Sequence, residues 1–247
     1  MTRSILITGA ASGIGAAICR RMAAPGVAIL AHTRRNQGGL EAVAEAARAA
    51  GAVVVTALGD LADPTAAATL VDTAMTDFGH LDTIVSNAGF ADRTKTAELT
   101  DEAFARSLDA IQWGFFRLAR AAIPHLTPGG RIIAVSSFVA HAFRPGVTVF
   151  PASAAAKAGM EALVKALALE LAPRGVTVNA VVPGFIRKDA ATHTAIDPAA
   201  LHAQLANIPA GRVGLPDEVA AAIAFLASND AAYITGQCLH VSGGLVI

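Results

Sequence analysis

Residues Ile5 to Gly15 read I-L-I-T-G-A-A-S-G-I-G, an apolar run that breaks into Gly9, Gly13 and Gly15 and reopens as a helix near Ser12 to Ile14. One glycine would serve an ordinary turn between strand and helix. Three at this spacing let the backbone come close to an anion. The helix that follows points its unpaired N–H groups and the positive end of its dipole at that anion. The chemistry predicted here is the binding of a dinucleotide through its pyrophosphate.

Such a turn works only if a strand and a helix hold it, and the rest of the chain supplies both in alternation. Candidate strands are Ser4–Thr8, Val27–Ala31, Val53–Ala57, Thr83–Ser86, Gly130–Ser136, Thr177–Val182 and Cys238–Val241. Helical patterns fill Gly13–Ala23, Gly38–Ala50, Pro64–Phe78, Asp101–Ile123, Ala152–Ala172, Asp197–Leu205 and Pro216–Ala227. Strands separated by helices imply βαβ crossovers, and continuously apolar strands imply a parallel sheet covered on both faces. A doubly wound α/β fold in a single domain over residues 1–247 is expected, with no linker or repeat. The least regular segments, Phe138–Phe150 and Phe185–Pro198, follow strands, where ligands of such sheets sit. They are candidates for substrate contact, with plain surface connections as the alternative.

Composition narrows the classes. The formal net charge is zero, which argues against a nucleic-acid surface. Mean hydropathy is +0.52, yet no apolar stretch reaches the ~18 residues that cross a bilayer, so the value reflects a large aliphatic core. Met1-Thr2-Arg3 runs directly into the first strand, leaving no room for a signal peptide, and a cytoplasmic protein is expected. Cys19 and Cys238 make neither a disulfide framework nor a metal spacing and read as small buried hydrophobes.

Further motifs occur in fixed order: Gly59-Asp60-Leu61, Asn87-Ala88-Gly89, Ser136-Ser137, Lys157 in a long helix, and Val178-Asn179-Ala180-Val181-Val182-Pro183-Gly184. Near the C-terminus come Gly211-Arg212-Val213-Gly214, Pro216-Asp217-Glu218-Val219 and Ile234-Thr235-Gly236-Gln237. Together they resemble the short-chain dehydrogenase/reductase family, especially its ketoacyl-reductase-like members, over essentially the whole chain. The resemblance implies that Gly9, Ser12, Gly13, Ile14 and Gly15 hold the pyrophosphate. It implies that Asp60 accepts from the adenine amino group and that Leu61 flanks the ring. Asn87, Ala88 and Gly89 would line the adenosine ribose side and brace the sheet centre. Pro183, Gly184 and Ile186 would cover the nicotinamide, and Lys157 would hold its ribose. A homotetramer is also implied, with the helices at 101–123 and 152–172 forming one interface through faces that contain Gly114 and Gly159.

Cofactor choice is read at Ala31-His32-Thr33-Arg34-Arg35. A carboxylate at this strand end would chelate the ribose hydroxyls of NAD and repel a 2′-phosphate. Thr33 stands where NAD-preferring members carry Asp, and Arg34 and Arg35 follow. Guanidinium forks suit a phosphate dianion, so NADP is expected over NAD, with a solvated surface pair as the plainer alternative.

The catalytic positions depart from the family. A tyrosine four residues before the lysine donates the proton in its members, and Ser153 stands there in this chain. The helix asparagine that anchors a relay water is Ile111, and the threonine after Pro-Gly is Lys188. Ser137 and Lys157 remain. A serine hydroxyl can donate a hydrogen bond to a developing oxyanion but is a poor source of a proton. Positioned acid catalysis contributes roughly 10²–10⁴-fold, so ordinary ketone reduction should be slowed. Tyr233, the chain's one tyrosine, lies near the C-terminus, and between Ser137 and Ser153 the protonatable groups are His141 and Arg144. Two readings follow. One is an NADP-dependent reductase acting on a conjugated C=C, a C=N or an unusual carbonyl, as 2,4-dienoyl-CoA reductases carry serine at this position. The other is a catalytically silent nucleotide-binding protein with a scaffold or regulatory role.

Overall fold

The protein is described by a computed structural model covering residues 3–144, 147–187 and 205–247. Seven parallel strands form one sheet in the order β3-β2-β1-β4-β5-β6-β7. They are β1 (Arg3–Thr8), β2 (Val27–Thr33), β3 (Val53–Leu58), β4 (Thr83–Ser86), β5 (Arg131–Val135), β6 (Thr177–Pro183) and β7 (Cys238–Val241). Every pairing is in parallel register, from Ile5 beside Ile29 and Thr83 at the centre to Val182 beside His240 at one edge. The strand order reverses direction at β1, so the carboxyl ends of β1 and β4 open onto a crevice between diverging crossovers.

Helices α1 (Gly13–Met22), α2 (Gln37–Ala49) and α7 (Pro216–Ala227) cover one face, with a core that includes Ile5, Ile7, Ile18, Ile29 and Ile223. Helices α3 (Ala66–Phe78), α5 (Gly114–Ala122) and α6 (Pro151–Leu171) cover the other around Leu6, Leu30, Ile84, Phe115 and Val164. Alternate residues of β1 therefore feed opposite cores, the period-two geometry that made the strands read as uninterrupted apolar runs.

The sequence reading placed one helix over Asp101–Ile123. The structure breaks it into α4 (Asp101–Ser107), a π-helical stretch Leu108–Trp113 and α5. A π turn uses i→i+5 in place of i→i+4 hydrogen bonds, a change that residue types in a helical segment do not mark. The inserted turn holds Ile111, the family asparagine position. Strand and helix ends otherwise shift by one or two residues, within the fraying of hydrogen-bonded termini. The helix expected over Asp197–Leu205 and the position Lys188 fall mostly or wholly outside the described residues. Among those residues, no helix is long and apolar enough to cross a membrane.

Gly159 and Gly114, expected to ease packing between subunits, are used within one chain. A Cβ on Gly159 would come within 2.6 Å of the Gln112 side chain, and one on Gly114 within 3.2 Å of Leu61 Cβ. The faces containing them pack at these points on the chain's own π turn and on the loop after β3.

Candidate active site

The glycine turn joins β1 to α1 with Gly9 and Gly13 at positive φ, 68° and 54°. Gly15 needs its missing side chain for a different reason. A Cβ there would lie 2.0 Å from the Gly9 carbonyl oxygen and 2.7 Å from Asn87 Nδ2. Ser12 caps α1 in extended geometry, and its side chain makes no capping hydrogen bond. A second anchor comes from β4: Asn87 Nδ2 donates to the carbonyls of Thr8 and Gly9 at 3.0 and 3.1 Å. The Asn87 and Ala88 amides also both donate to Thr8 Oγ1. Asn87 and Ala88 thus brace the sheet centre and shape the turn from the adjacent strand end, which is what a preorganised anion cradle requires.

Beside this turn, Arg34 at the end of β2 reaches Asp60 across 3.7 Å, both side chains half exposed. Asp60 Oδ1 accepts from the Ala62 amide at 3.1 Å, closing an Asx turn after β3. Leu61 is buried in the core. His32 adds a contact that sequence reasoning missed, with Nε2 2.9 Å from the Gly59 carbonyl. It holds the Gly59-Asp60 loop to β2.

At the carboxyl ends of β4 and β5 the residues expected to serve hydride transfer come together. Ser153, Lys157 and Ile111 are each less than a tenth exposed. Ser153 Oγ accepts from the Asp92 backbone N–H at 2.9 Å, so this hydroxyl is tied to the loop after β4. Lys157 Nζ donates to the Val135 carbonyl at the end of β5. A Cβ built on Gly89 would stand 3.5 Å from Lys157 Nζ and 3.5 Å from Ile111 Cγ1, so ammonium and isoleucine share one wall. Burial pushes Lys157 down to about 8, opposed by the charge of Glu161. Ser137 caps the short 3₁₀ turn Phe138–Ala140, its Oγ accepting from the Val139 amide.

His141, considered from sequence as an acid facing the acceptor, is engaged elsewhere. Its Nε2 lies 2.9 Å from Glu161 Oε1, and its ring stands edge-on to His240 with centroids 4.8 Å apart. Arg144 likewise turns away, donating to the Asn207 carbonyl. Glu161 was not foreseen. The signal available was a charged residue four positions after Lys157 on the apolar face of a helix.

Of the residues expected over the nicotinamide, Pro183 ends β6 and Gly184 packs so tightly on Ser242 that a Cβ would meet its Cα at 2.8 Å. Ile186 bridges to Gly214. Around the turn after Ser137 the packing is aromatic: the Phe138 ring lies 6.4 Å from Phe150 and 4.4 Å from Phe185, with Arg93 over the Phe150 ring. Phe138 and Phe150 are buried with Ile208 and Leu245, and Phe185 packs partly buried against them.

A family model described as enoyl-(acyl carrier protein) reductase matches residues 9–246. An uncharacterized oxidoreductase of Methylorubrum extorquens is 38% identical over 242 residues, covering 97% of this chain and 96% of the relative. The 3-oxoacyl-[acyl-carrier-protein] reductase FabG of Escherichia coli is 37% identical over the same shares of both chains. A short chain dehydrogenase from Burkholderia cenocepacia, solved in complex with NADP, superposes with a TM-score of 0.92 at 32% identity, covering 99% of this chain and 98% of that one. The sheet order, the glycine turn and these likenesses agree, and the chain belongs to the short-chain dehydrogenase/reductase family, an NAD(P)-dependent oxidoreductase with the Rossmann-type doubly wound fold.

Proposed function

We propose that this chain is an NADPH-dependent reductase whose acceptor is activated: a conjugated C=C, a C=N or a 3-oxoacyl-type carbonyl. The observation that carries the reading is the pairing of Lys157 with Ile111 and Ser153. The charged group of the site is kept, while the two positions that would relay and deliver a phenolic proton are a hydrocarbon and a hydroxyl tied to the Asp92 amide.

The residues present fit NADP. The Gly9–Gly15 turn lacks the Cβ atoms that would fill it, and the first turn of α1 carries no acid. Arg34, with Arg35 exposed beside it, lies where a 2′-phosphate would need a cation. Gly9, Ser12, Gly13, Ile14 and Gly15 hold the pyrophosphate, Asp60 and Leu61 the adenine, and Asn87, Ala88 and Gly89 the adenosine ribose. Lys157 holds the nicotinamide ribose, and Pro183, Gly184 and Ile186 close over the ring. NADPH supplies the hydride.

The chain's own contribution is to bind, orient and stabilise charge. Ser137 and Ser153 donate hydrogen bonds to the oxygen or nitrogen on which charge develops. The Ser153 oxygen already accepts from Asp92, which leaves its own proton to point at the acceptor. A serine hydroxyl does not surrender that proton near neutral pH. The Lys157 ammonium, brought down to about 8, can give one. An iminium acceptor needs no proton at nitrogen, and an enone needs stabilisation of an enolate oxygen first. Both suit this site better than an isolated ketone. A cytoplasmic homotetramer belongs to the same proposal, by likeness to the family.

Stopped-flow oxidation of NADPH with a panel of enones, imines, 3-oxoacyl thioesters and simple ketones tests this. Faster turnover of the activated acceptors than of simple ketones is expected. Rapid turnover of simple ketones alone would discard the altered acceptor. Calorimetry that finds no binding of either pyridine nucleotide would discard the reductase altogether.

A further inference from the structure

Glu161 stands on α6 one turn after Lys157, and its side chain is only 8% exposed. A carboxylate so deeply placed must be stabilised by its surroundings or lose its charge. The structure supplies partners from two segments. Ser136 Oγ, at the end of β5, donates to Oε1, and His141 Nε2, in the loop above, meets the same oxygen. Besides burial, the charge of this carboxylate raises the Cys238 thiol on β7.

This arrangement is not a nucleophilic triad. Serine and histidine converge on one carboxylate oxygen, so the imidazole does not take the serine proton. It serves instead to fix the Glu161 side chain. Lys157, four residues earlier on the same helix face, donates to the carbonyl of Val135, the neighbour of Ser136, so the two side chains engage adjacent residues at the end of β5 and the carboxylate favours the ammonium. Apart from a hydrogen bond to the Val135 carbonyl, the lysine's surroundings oppose ionisation through burial: Ile111 is hydrocarbon and Gly89 presents no side chain.

We propose that Glu161 is a positioning residue of the hydride-transfer site, holding Lys157 in its ammonium form and fixing Ser137 through the neighbouring Ser136. Its importance for turnover rests on the reductase reading, since only there is the lysine the remaining acid. The other titratable groups around the carboxylate do not supply this effect. The Cys238 thiol is pushed up to about 11 by burial, and His240 is held below its usual value by burial and by His141. Lys165 stands one turn further along the helix, near Cys238.

The chain has four lysines (Lys95, Lys157, Lys165 and Lys188), so the side-chain amines of lysine-labelled protein can be titrated individually by nitrogen NMR without any substrate. Glu161→Gln keeps the shape and the partners of the side chain but not its charge. The Lys157 titration is expected to move down by about one pH unit or more in Glu161→Gln and to stay within about 0.3 in Glu161→Asp. NADPH affinity of Glu161→Gln should fall above pH 7, while that of Glu161→Asp follows the parent. A Lys157 titration unchanged in Glu161→Gln, or moved equally in both variants, would overturn the proposal. Expected titrations together with a parent that turns over no acceptor would sink the reductase and leave the assignment of Glu161 standing.

Discussion

The Ser153 hydroxyl oxygen lies 2.9 Å from the Asp92 backbone nitrogen, which ties the start of α6 to the loop after β4. At the family's proton-donor position this chain therefore has a buried structural contact as well as a weaker acid. Reversal of the substitution is the direct test. In Ser153→Tyr the phenol must displace the Asp92 contact, and reduction of simple ketones is expected to rise by roughly 10²-fold or more. Ile111→Asn alone should lower the melting temperature, because it buries an amide where hydrocarbon now packs, and should leave ketone reduction low. Steady-state kinetics on a ketone series and thermal unfolding of both variants give the comparison.

Lys157 ties function to a stability cost. Burial lowers it from 10.5 to about 8, so between those values the unfolded chain binds a proton that the folded chain has released. Stability from this group therefore rises with pH across that window, and the full cost of the buried charge is present below it. Lys157→Met removes the charge. Its melting temperature minus that of the parent should be largest near pH 7 and shrink as pH approaches 10.5, measured on the protein without nucleotide. A gap that grows with pH would contradict a buried ammonium.

Arg34 faces Asp60 across 3.7 Å, so the guanidinium is held at the end of β2 by a side chain of the adenine loop. Both partners are too exposed for the pair to matter to stability. Arg34→Ala should weaken NADPH binding by roughly tenfold or more and change NADH binding little, since a charge-assisted bond to the 2′-phosphate is what would be lost. Isothermal calorimetry with both nucleotides reads the difference. Equal losses for the two would remove Arg34 from cofactor discrimination.

Two glycines of one turn should respond differently. A Cβ on Gly15 would press the Gly9 carbonyl at 2.0 Å, and backbone cannot step aside as a flexible side chain could. Gly15→Ala is expected to cost about 1–3 kcal/mol and to abolish measurable NADPH binding. Gly13 has open space around it, with φ of 54° as its constraint. Gly13→Ala should cost only about 1 kcal/mol and weaken binding less. Chemical denaturation and calorimetry on the two variants separate close approach from backbone strain.

Much of this protein was legible in its sequence because the signals are local. The apolar runs, the three glycines after β1 and the order of the motifs fixed the parallel sheet and the nucleotide turn, since strand burial and a phosphate cradle are both set by neighbours within a few residues. Ser153 and Ile111 stand at counted distances from landmarks, and their reading as replacements rests on the family resemblance. Tertiary structure alone decided what surrounds them. The π turn that carries Ile111 was not read from the sequence, because the switch to i→i+5 hydrogen bonds is not marked by residue type. The Asp92 amide reaches Ser153 across 61 positions, and Ser136 and His141 reach Glu161 from separate segments. Such contacts depend on where the crossovers bring strand ends together, and the charge of a buried lysine depends on those contacts.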